Sequence, residues 1–201
     1  MEKPAITRYQ IHEVLRKRWS PRAFAARPVE EEKLWSLFEA ARWAPSGGNQ
    51  QPWYFVMATA ANPEEHQCIV DVLGPRNQVW ARGAPVLMIA VAKTERQPGM
   101  PNRWAWYDVG QAVAHLSVQA TAEGLALRQM GGFDADKARE CLGIPPGFEP
   151  VVAIALGYPG DPERLPEDIR AREYEARSRK PVESFVFRGR WRPESENENR
   201  N

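Results

Sequence analysis

The chain has 201 residues, 43% of them hydrophobic, with 27 Lys plus Arg against 26 Asp plus Glu, two cysteines, eight tryptophans and eighteen prolines. That length and apolar content suit one domain with its own core; they exclude a disordered chain, and the absence of a glycine period excludes a collagen-like one. No apolar run approaches the ~20 residues that cross a bilayer, and the opening MEKPAITRYQ lacks the apolar stretch of a secretion signal, which predicts a cytoplasmic protein away from membranes.

In chain order, Ile11, Val14 and Leu15 mark a short helix running into RKRWSPR. EEEKLWSLFEAARWAP then places Leu34, Leu37, Phe38 and Ala41 on one helical face, with three glutamates in the first turn, until Pro45 stops it. The polar loop SGGNQQP leads into the strand WYFVMATA. Residues 63–73 read as a helix, and APVLMIAVAK, apolar on both faces, reads as a central strand. TERQPGMPNR reads as a loop. A long helix from Trp104 to Ala122 carries Ala112, Val113, Ala114, Val118 and Ala120, which predicts burial nearly all round and therefore a subunit interface. LALRQM is a short strand, Asp134 an N-cap for DADKARECLG, and PVVAIALGYP a last buried strand. From residue 160 onward the density of Pro, Arg and Glu predicts an extended arm ending in a disordered ESENENRN. The order of elements fits an α+β or three-layer α/β chain without repeats.

The net charge of +1 is unevenly spread. Residues 1–27 carry seven basic and two acidic side chains, residues 170–192 eight basic and three acidic, and the body between them is acidic. Either both ends are solvated arms, or they meet around one anion such as a phosphate. Cys68 and Cys141 read as reduced, half-buried residues, being too few for a disulfide framework. There is no GxxxxGK[ST] loop and no GxGxxG after a strand. His12, His66 and His115 have no metal-site spacing, and APSGG lacks the glycine that precedes the serine of a nucleophile elbow. The acidic body argues against nucleic acid.

Three segments suit a phosphate and a flat ring. In Arg18-Trp19-Ser20-Pro21-Arg22 two guanidinium groups flank a hydroxyl, as a phosphate monoester requires; a solvated helix end is the alternative. Pro45-Ser46-Gly47-Gly48-Asn49-Gln50-Gln51-Pro52-Trp53 offers close backbone approach and amide groups for ring heteroatoms, or is an ordinary turn. Met130-Gly131-Gly132-Phe133-Asp134 has paired glycines, needed only for a close backbone approach or a positive φ; a tight turn is the alternative.

With Asp108-Val109-Gly110 opening the long helix and Arg177-Ser178-Arg179-Lys180-Pro181 near the end, these segments carry a resemblance to the FMN-dependent nitroreductase family over residues 8–182. The resemblance implies a nitroreductase-like three-layer α/β/α homodimer with a mostly antiparallel sheet, and a domain over 1–182 with an extension over 183–201. FMN would sit at the dimer interface. Arg18, Trp19, Ser20 and Arg22 would hold its phosphate and pyrimidine side, and Arg177, Ser178 and Arg179 would close the phosphate site. Pro45, Ser46, Gly47 and Asn49 would come from the other subunit. Met130, Gly131 and Gly132 would sit by the reactive N5, and Asn77 would bond the ring edge.

NADH or NADPH would be the electron donor. Hydride transfer puts negative charge on the N1–C2=O edge of the flavin, which a cation such as Arg22 stabilises, so the protein needs no catalytic acid or nucleophile of its own. Trp104, Trp106 and Tyr107 are lid candidates, or packing residues. The resemblance thus implies an oxidoreductase passing hydride to a nitroaromatic, quinone or similar small electrophile. A specialised flavin enzyme of the same fold (a dehalogenase, an enoyl or semialdehyde reductase, a flavin-consuming enzyme) and a non-catalytic flavin-binding dimer are the alternatives. Arg188, Arg190 and Arg192 fall outside the motifs and read as surface.

Overall fold

The computed structural model describes residues 2–191; Arg192 and the tail predicted to be disordered lie outside the described residues. A one-turn helix, α1 (Glu13–Lys17), is capped by the His12 ring, which accepts from the Val14 N–H. In α2 (Glu31–Arg42) Leu34, Leu37 and Ala41 are buried and Phe38 packs beside them, so the predicted stripe faces the core. Then follow β1 (Trp53–Thr59), α3 (Pro63–Val72), α4 (Pro75–Ala81), β2 (Val86–Lys93), a small hairpin of β3 (Glu95–Gln97) and β4 (Met100–Pro101), and the long α5 (Ala105–Ala122). The chain continues through β5 (Ala126–Met130), α6 (Ala135–Leu142), β6 (Phe148–Gly157) and α7 (Glu167–Tyr174).

The main sheet has the order β1-β2-β6-β5, and each of its pairings is antiparallel. Its central strand explains the layering. β2 is buried along seven of its eight residues, and side chains alternate between faces with period two. Val86, Met88, Ala90 and Ala92 join α2 and α5 in one core, while Leu87, Ile89 and Val91 join α3, α4 and α6 in the other. The result is a three-layer α+β fold.

α5 departs from its expected burial. Ala105, Val109, Ala112, Val113, Leu116 and Ala120 form a buried stripe, but Ala114 is exposed and Val118 half-buried, and Trp106, Tyr107 and Gly110 also face outward. Within one chain the helix is amphipathic, with an open apolar edge. Three further segments differ from the sequence reading. Residues 75–81, unassigned there, form a helix with Pro75 in its first turn, where a missing N–H costs nothing. The polar loop after β2 contains the β3–β4 hairpin, turned at Gly99 with φ +76°. The arm after residue 160 contains α7, whose polar sequence has no apolar stripe; it is held instead by Ile169, packed on the core, and by the buried Glu173.

The cysteine reading is also corrected. Cys68 of α3 and Cys141 of α6 form a disulfide, with Cα atoms 6.3 Å apart, because the two helices pack side by side on one face of the sheet. Thiol titration of the unfolded, unreduced protein is therefore expected to find no free thiol, and two after reduction. One free thiol per cysteine before reduction would restore the earlier reading.

The N-cap at Asp134 holds: its carboxylate accepts from the Lys137 N–H at 3.1 Å, and Gly143, with φ +64°, ends the helix. Asp134→Ala is expected to lower stability by about 1 kcal/mol in urea denaturation; no change would mean that the cap is replaced by water at no cost.

The two ends of the chain meet beside the sheet. The Ala25 N–H donates to the Tyr158 carbonyl and the Gly160 N–H to the Ala23 carbonyl, both at 2.9 Å. A side chain at Gly160 would run into the Phe24 carbonyl group, so this close crossing requires glycine.

Candidate functional site

Where the ends meet, two adjoining cavities open. One, of about 410 Å³, is walled by Gly74, Pro75 and Asn77 at the start of α4, by Trp80, and by Gly132 after β5. The other, of about 260 Å³, is walled by Lys3, Arg18, Trp19, Ser20, Arg177, Ser178 and Arg179. Arg22, Arg128 and Arg172 line both, so the cavities share a wall of three guanidinium groups.

The smaller cavity is strongly basic. Arg18 donates from Nη1 to the Ser20 Oγ at 3.2 Å. Arg177 donates from Nη1 to the Lys3 and Arg16 carbonyls, and Arg179 to the Ser178 carbonyl at 2.7 Å. Each of these partners is uncharged. Among the described residues none of the three arginines is in an ion pair. Burial first, then the nearby Arg177 and Arg179, holds the Arg18 pKa below the usual arginine value. Burial and Arg179 do the same to Arg177. Glu173 and Glu175 also line this cavity, Glu173 being taken up by Arg22; three further cations, none of them in an ion pair among the described residues, make a receptor for an anion with several acceptor oxygens. The Lys3 ammonium lies 5.1 Å from the Trp19 ring centroid and donates to the Glu173 carbonyl, tying the N-terminal segment to α7.

The larger cavity ends at the glycine turn. The Gly132 carbonyl accepts from the Gly74 N–H at 2.9 Å and from Asn77 Nδ2 at 3.1 Å, and the Asp134 N–H donates to the Val72 carbonyl. The junction of α3 and α4 therefore buttresses the turn. Neither Gly131 nor Gly132 has a positive φ, and a Cβ at Gly131 would meet nothing within 4 Å. Backbone conformation and packing thus do not require glycine at 131. A positive φ is thus removed as the reason for this glycine pair, and a close backbone approach and a plain turn remain. Met130 is different: its side chain is buried in the core, so only its backbone borders the turn.

Arg22 is held tightly. Its N–H donates to Glu173 Oε2 at 2.9 Å and its Nη1 to Oε1 at 3.0 Å. Glu173 is 1% exposed. Neither Glu173 nor Arg128 was picked out by sequence. Glu173 lies in a segment read as an arm, and Arg128 in LALRQM, read simply as a short strand.

The loop after α2 is not brought to these cavities. Pro45, Ser46 and Gly47 line a separate one with Trp104, Tyr107, Asp108 and Gln111. The Ser46 Oγ accepts from the Gln51 N–H at 3.0 Å, and the Gly47 N–H donates to Asp108 Oδ2 at 3.1 Å. Asn49 and Gln51 both hold left-handed backbone, at φ +54° and +47°, an arrangement that costs energy outside glycine. Asn49 is exposed and its Oδ1 accepts from Gln51 Nε2. The lid candidates Trp104 and Tyr107 belong to this place, and Trp106 faces outward nearby.

Among the described residues no cluster of His, Cys, Asp or Glu could hold a metal ion, and no helix is long and apolar enough to cross a membrane. His66 is a buried ring whose Nε2 lies 2.9 Å from the Ala84 carbonyl.

The model of the family described as the nitroreductase family matches residues 15–158, more than half of the chain. The chain belongs to the nitroreductase family. This member is similar to a solved structure described as an oxidoreductase containing FMN, with 34% identity and a TM-score of 0.87 over 93% of this chain and 96% of the other. It is also similar to the 5,6-dimethylbenzimidazole synthase of Rhodospirillum rubrum, 29% identical over 73% of this chain and 80% of that protein. The NADH dehydrogenase of Thermus thermophilus is 28% identical over 72% of this chain and 84% of its own length. The three-layer sheet described above is thus the nitroreductase fold.

Proposed function

We propose that the protein is an FMN-dependent oxidoreductase that takes electrons from NADH or NADPH and passes them, in a ping-pong sequence, to small electrophiles such as nitroaromatics and quinones. The observation that carries this reading is the gathering of Arg18, Arg177 and Arg179, none in an ion pair, beside a cavity that ends at the Gly131–Gly132 turn. A phosphate fits the first and a flat ring approaching the backbone fits the second. FMN carries both, and its isoalloxazine supplies the hydride chemistry when bound.

The chain's residues then bind and orient. Arg18, Ser20, Arg177 and Arg179 hold the phosphate. Asn77, already fixed by the Gly132 carbonyl, keeps its Oδ1 for the ring edge. A backbone N–H of Gly131 or Gly132 is the donor at N5. The Pro45–Asn49 loop and the open edge of α5, which serve nothing in one chain, complete the site of a second subunit in a homodimer. Trp104, Trp106 and Tyr107 travel with that loop.

The test is anaerobic addition of NADH, then NADPH, to the FMN-reconstituted protein, followed by a panel of nitro and quinone acceptors. Rapid bleaching and reoxidation by the panel are expected, whereas bound flavin that neither nucleotide reduces would contradict the reading. A second reading, a specialised flavin enzyme, draws on the likeness to the Rhodospirillum synthase; bleaching without reoxidation by any panel member would favour it. Sizing is expected to give a dimer, and a flavin-loaded monomer would contradict the shared site.

A further inference from the structure

The shared wall of the two cavities holds three guanidinium groups, and they are not equivalent. Arg22 is neutralised: the buried Glu173 carboxylate receives both its N–H and its Nη1. Arg172 is exposed. Arg128, on β5 three residues before Gly131, is half-buried and among the described residues is in no ion pair. Its Nη1 donates to the Ser20 carbonyl, and its guanidinium lies 5.5 Å from the centroid of the buried Trp80 ring. Trp80 in turn stacks on Phe24, so the cation is held in place by a packed aromatic face. Burial first, then the charge of Arg22, brings its pKa down to about 10. A half-buried cation in that condition is short of an anion.

The place of Arg128 decides which part of a bound flavin it meets. With phosphate among Arg18, Arg177 and Arg179 and the ring against Asn77 and Gly132, the ribityl chain crosses the boundary that Arg128 lines. In isoalloxazine the ribityl nitrogen N10 lies one carbon from N1 on one side and one carbon from the apolar C9–H on the other, and of these two flanks only the N1–C2=O side offers a cation an acceptor. We infer that Arg128, rather than Arg22, is the cation that faces the negative charge of the reduced cofactor, and that Glu173 keeps Arg22 as a neutralised wall of the site. The inference rests on the flavin reading proposed above. A hydride from NAD(P)H brings two electrons and one proton and leaves NAD(P)⁺, so one negative charge is added inside the cavity. That charge gathers on the N1–C2=O edge, where a cation away from bulk water stabilises it most. Arg128 is thus a positioning and charge-compensating residue that donates and accepts no proton itself.

The test uses FMN affinity, from quenching of flavin fluorescence, and the midpoint potential of the bound flavin, in the full chain and in Arg128→Gln, Arg128→Lys and the paired variant Arg22→Gln/Glu173→Gln. For Arg128→Gln the ratio of reduced to oxidised affinity is expected to fall at least tenfold, a drop of about 30 mV for a two-electron couple. Arg128→Lys is expected to recover most of it, and the paired variant Arg22→Gln/Glu173→Gln, which removes both charges of the ion pair together, to leave the potential near that of the unmodified protein. An unchanged potential in Arg128→Gln, or an equal drop in the paired variant, would overturn the inference. Should the glutamine variant fail to hold FMN, Arg128→His decides: its potential is expected to fall more steeply with pH across the imidazole range than that of the unmodified protein, and parallel pH profiles would overturn the inference. If the unmodified protein binds no FMN, the flavin reading itself fails; if it does bind FMN, these potentials judge Arg128 alone.

Discussion

Replacing Arg18 with alanine is expected to weaken FMN binding by about 10- to 150-fold, the equivalent of the roughly 1.5–3 kcal/mol that a hydrogen bond to a charged group contributes. The size of the effect follows from the surroundings. Arg18 is half-buried, and among the described residues its guanidinium donates to the Ser20 hydroxyl. Its charge already suffers from burial and from Arg177 and Arg179. A phosphate turns that repulsion into three attractions, so the variant loses one attraction and leaves the other two. Arg179→Ala is expected to behave similarly, whereas Arg190→Ala, on the exposed segment after the site, is expected to leave affinity unchanged. Equal affinities for the unmodified chain, Arg18→Ala and Arg179→Ala would return the basic ends to solvated surface.

Glu173→Ala is expected to cost about 3 kcal/mol of stability in urea denaturation of the cofactor-free protein. Removing one partner of a buried pair costs about 3–5 kcal/mol because the other charge is left without compensation. The lower end applies here, since the Arg22 side chain keeps 17% of its exposure and regains some hydration. The Arg22 N–H would also lose its acceptor. Glu173→Gln, which keeps an acceptor, is expected to lose less. A loss below about 1 kcal/mol for the alanine variant would mean that α7 is not anchored through this carboxylate, and that the wall shared by the two cavities is held by other contacts.

Much of the fold could be read from pattern alone. The stripe of Leu34, Leu37 and Ala41, the continuous apolar run of β2 and the Asp134 cap each express local rules, and each is found where the pattern placed it. The expectation that Arg18, Ser20, Arg177 and Arg179 share one place came from the family resemblance, since the segregation of charge to the two ends left solvated arms open; in the structure the four line one cavity. What pattern could not show depends on partners far away in sequence. Glu173 is buried because Arg22, 151 residues earlier, receives it, and α7 has no apolar periodicity to announce a helix. Cys68 and Cys141 meet only because α3 and α6 pack together. Arg128 was hidden by its neighbours, since a single charge between Leu127 and Gln129 on a short strand resembles an outward-facing residue until Trp80 and the cavities are placed around it. The open edge of α5 is a different case: alanine and valine predict burial nearly all round through a subunit interface, and one chain by itself leaves that edge uncovered.

Whether the two cavities form one site for a ring bearing a phosphate is decided by titrating the cofactor-free protein with FMN and with riboflavin. The two ligands share the ring and differ only in the phosphate, so the ratio of their affinities isolates the arginine cluster. One FMN per chain, bound at least tenfold more tightly than riboflavin, is the predicted result. Equal affinities, or no binding of either ligand, would contradict it.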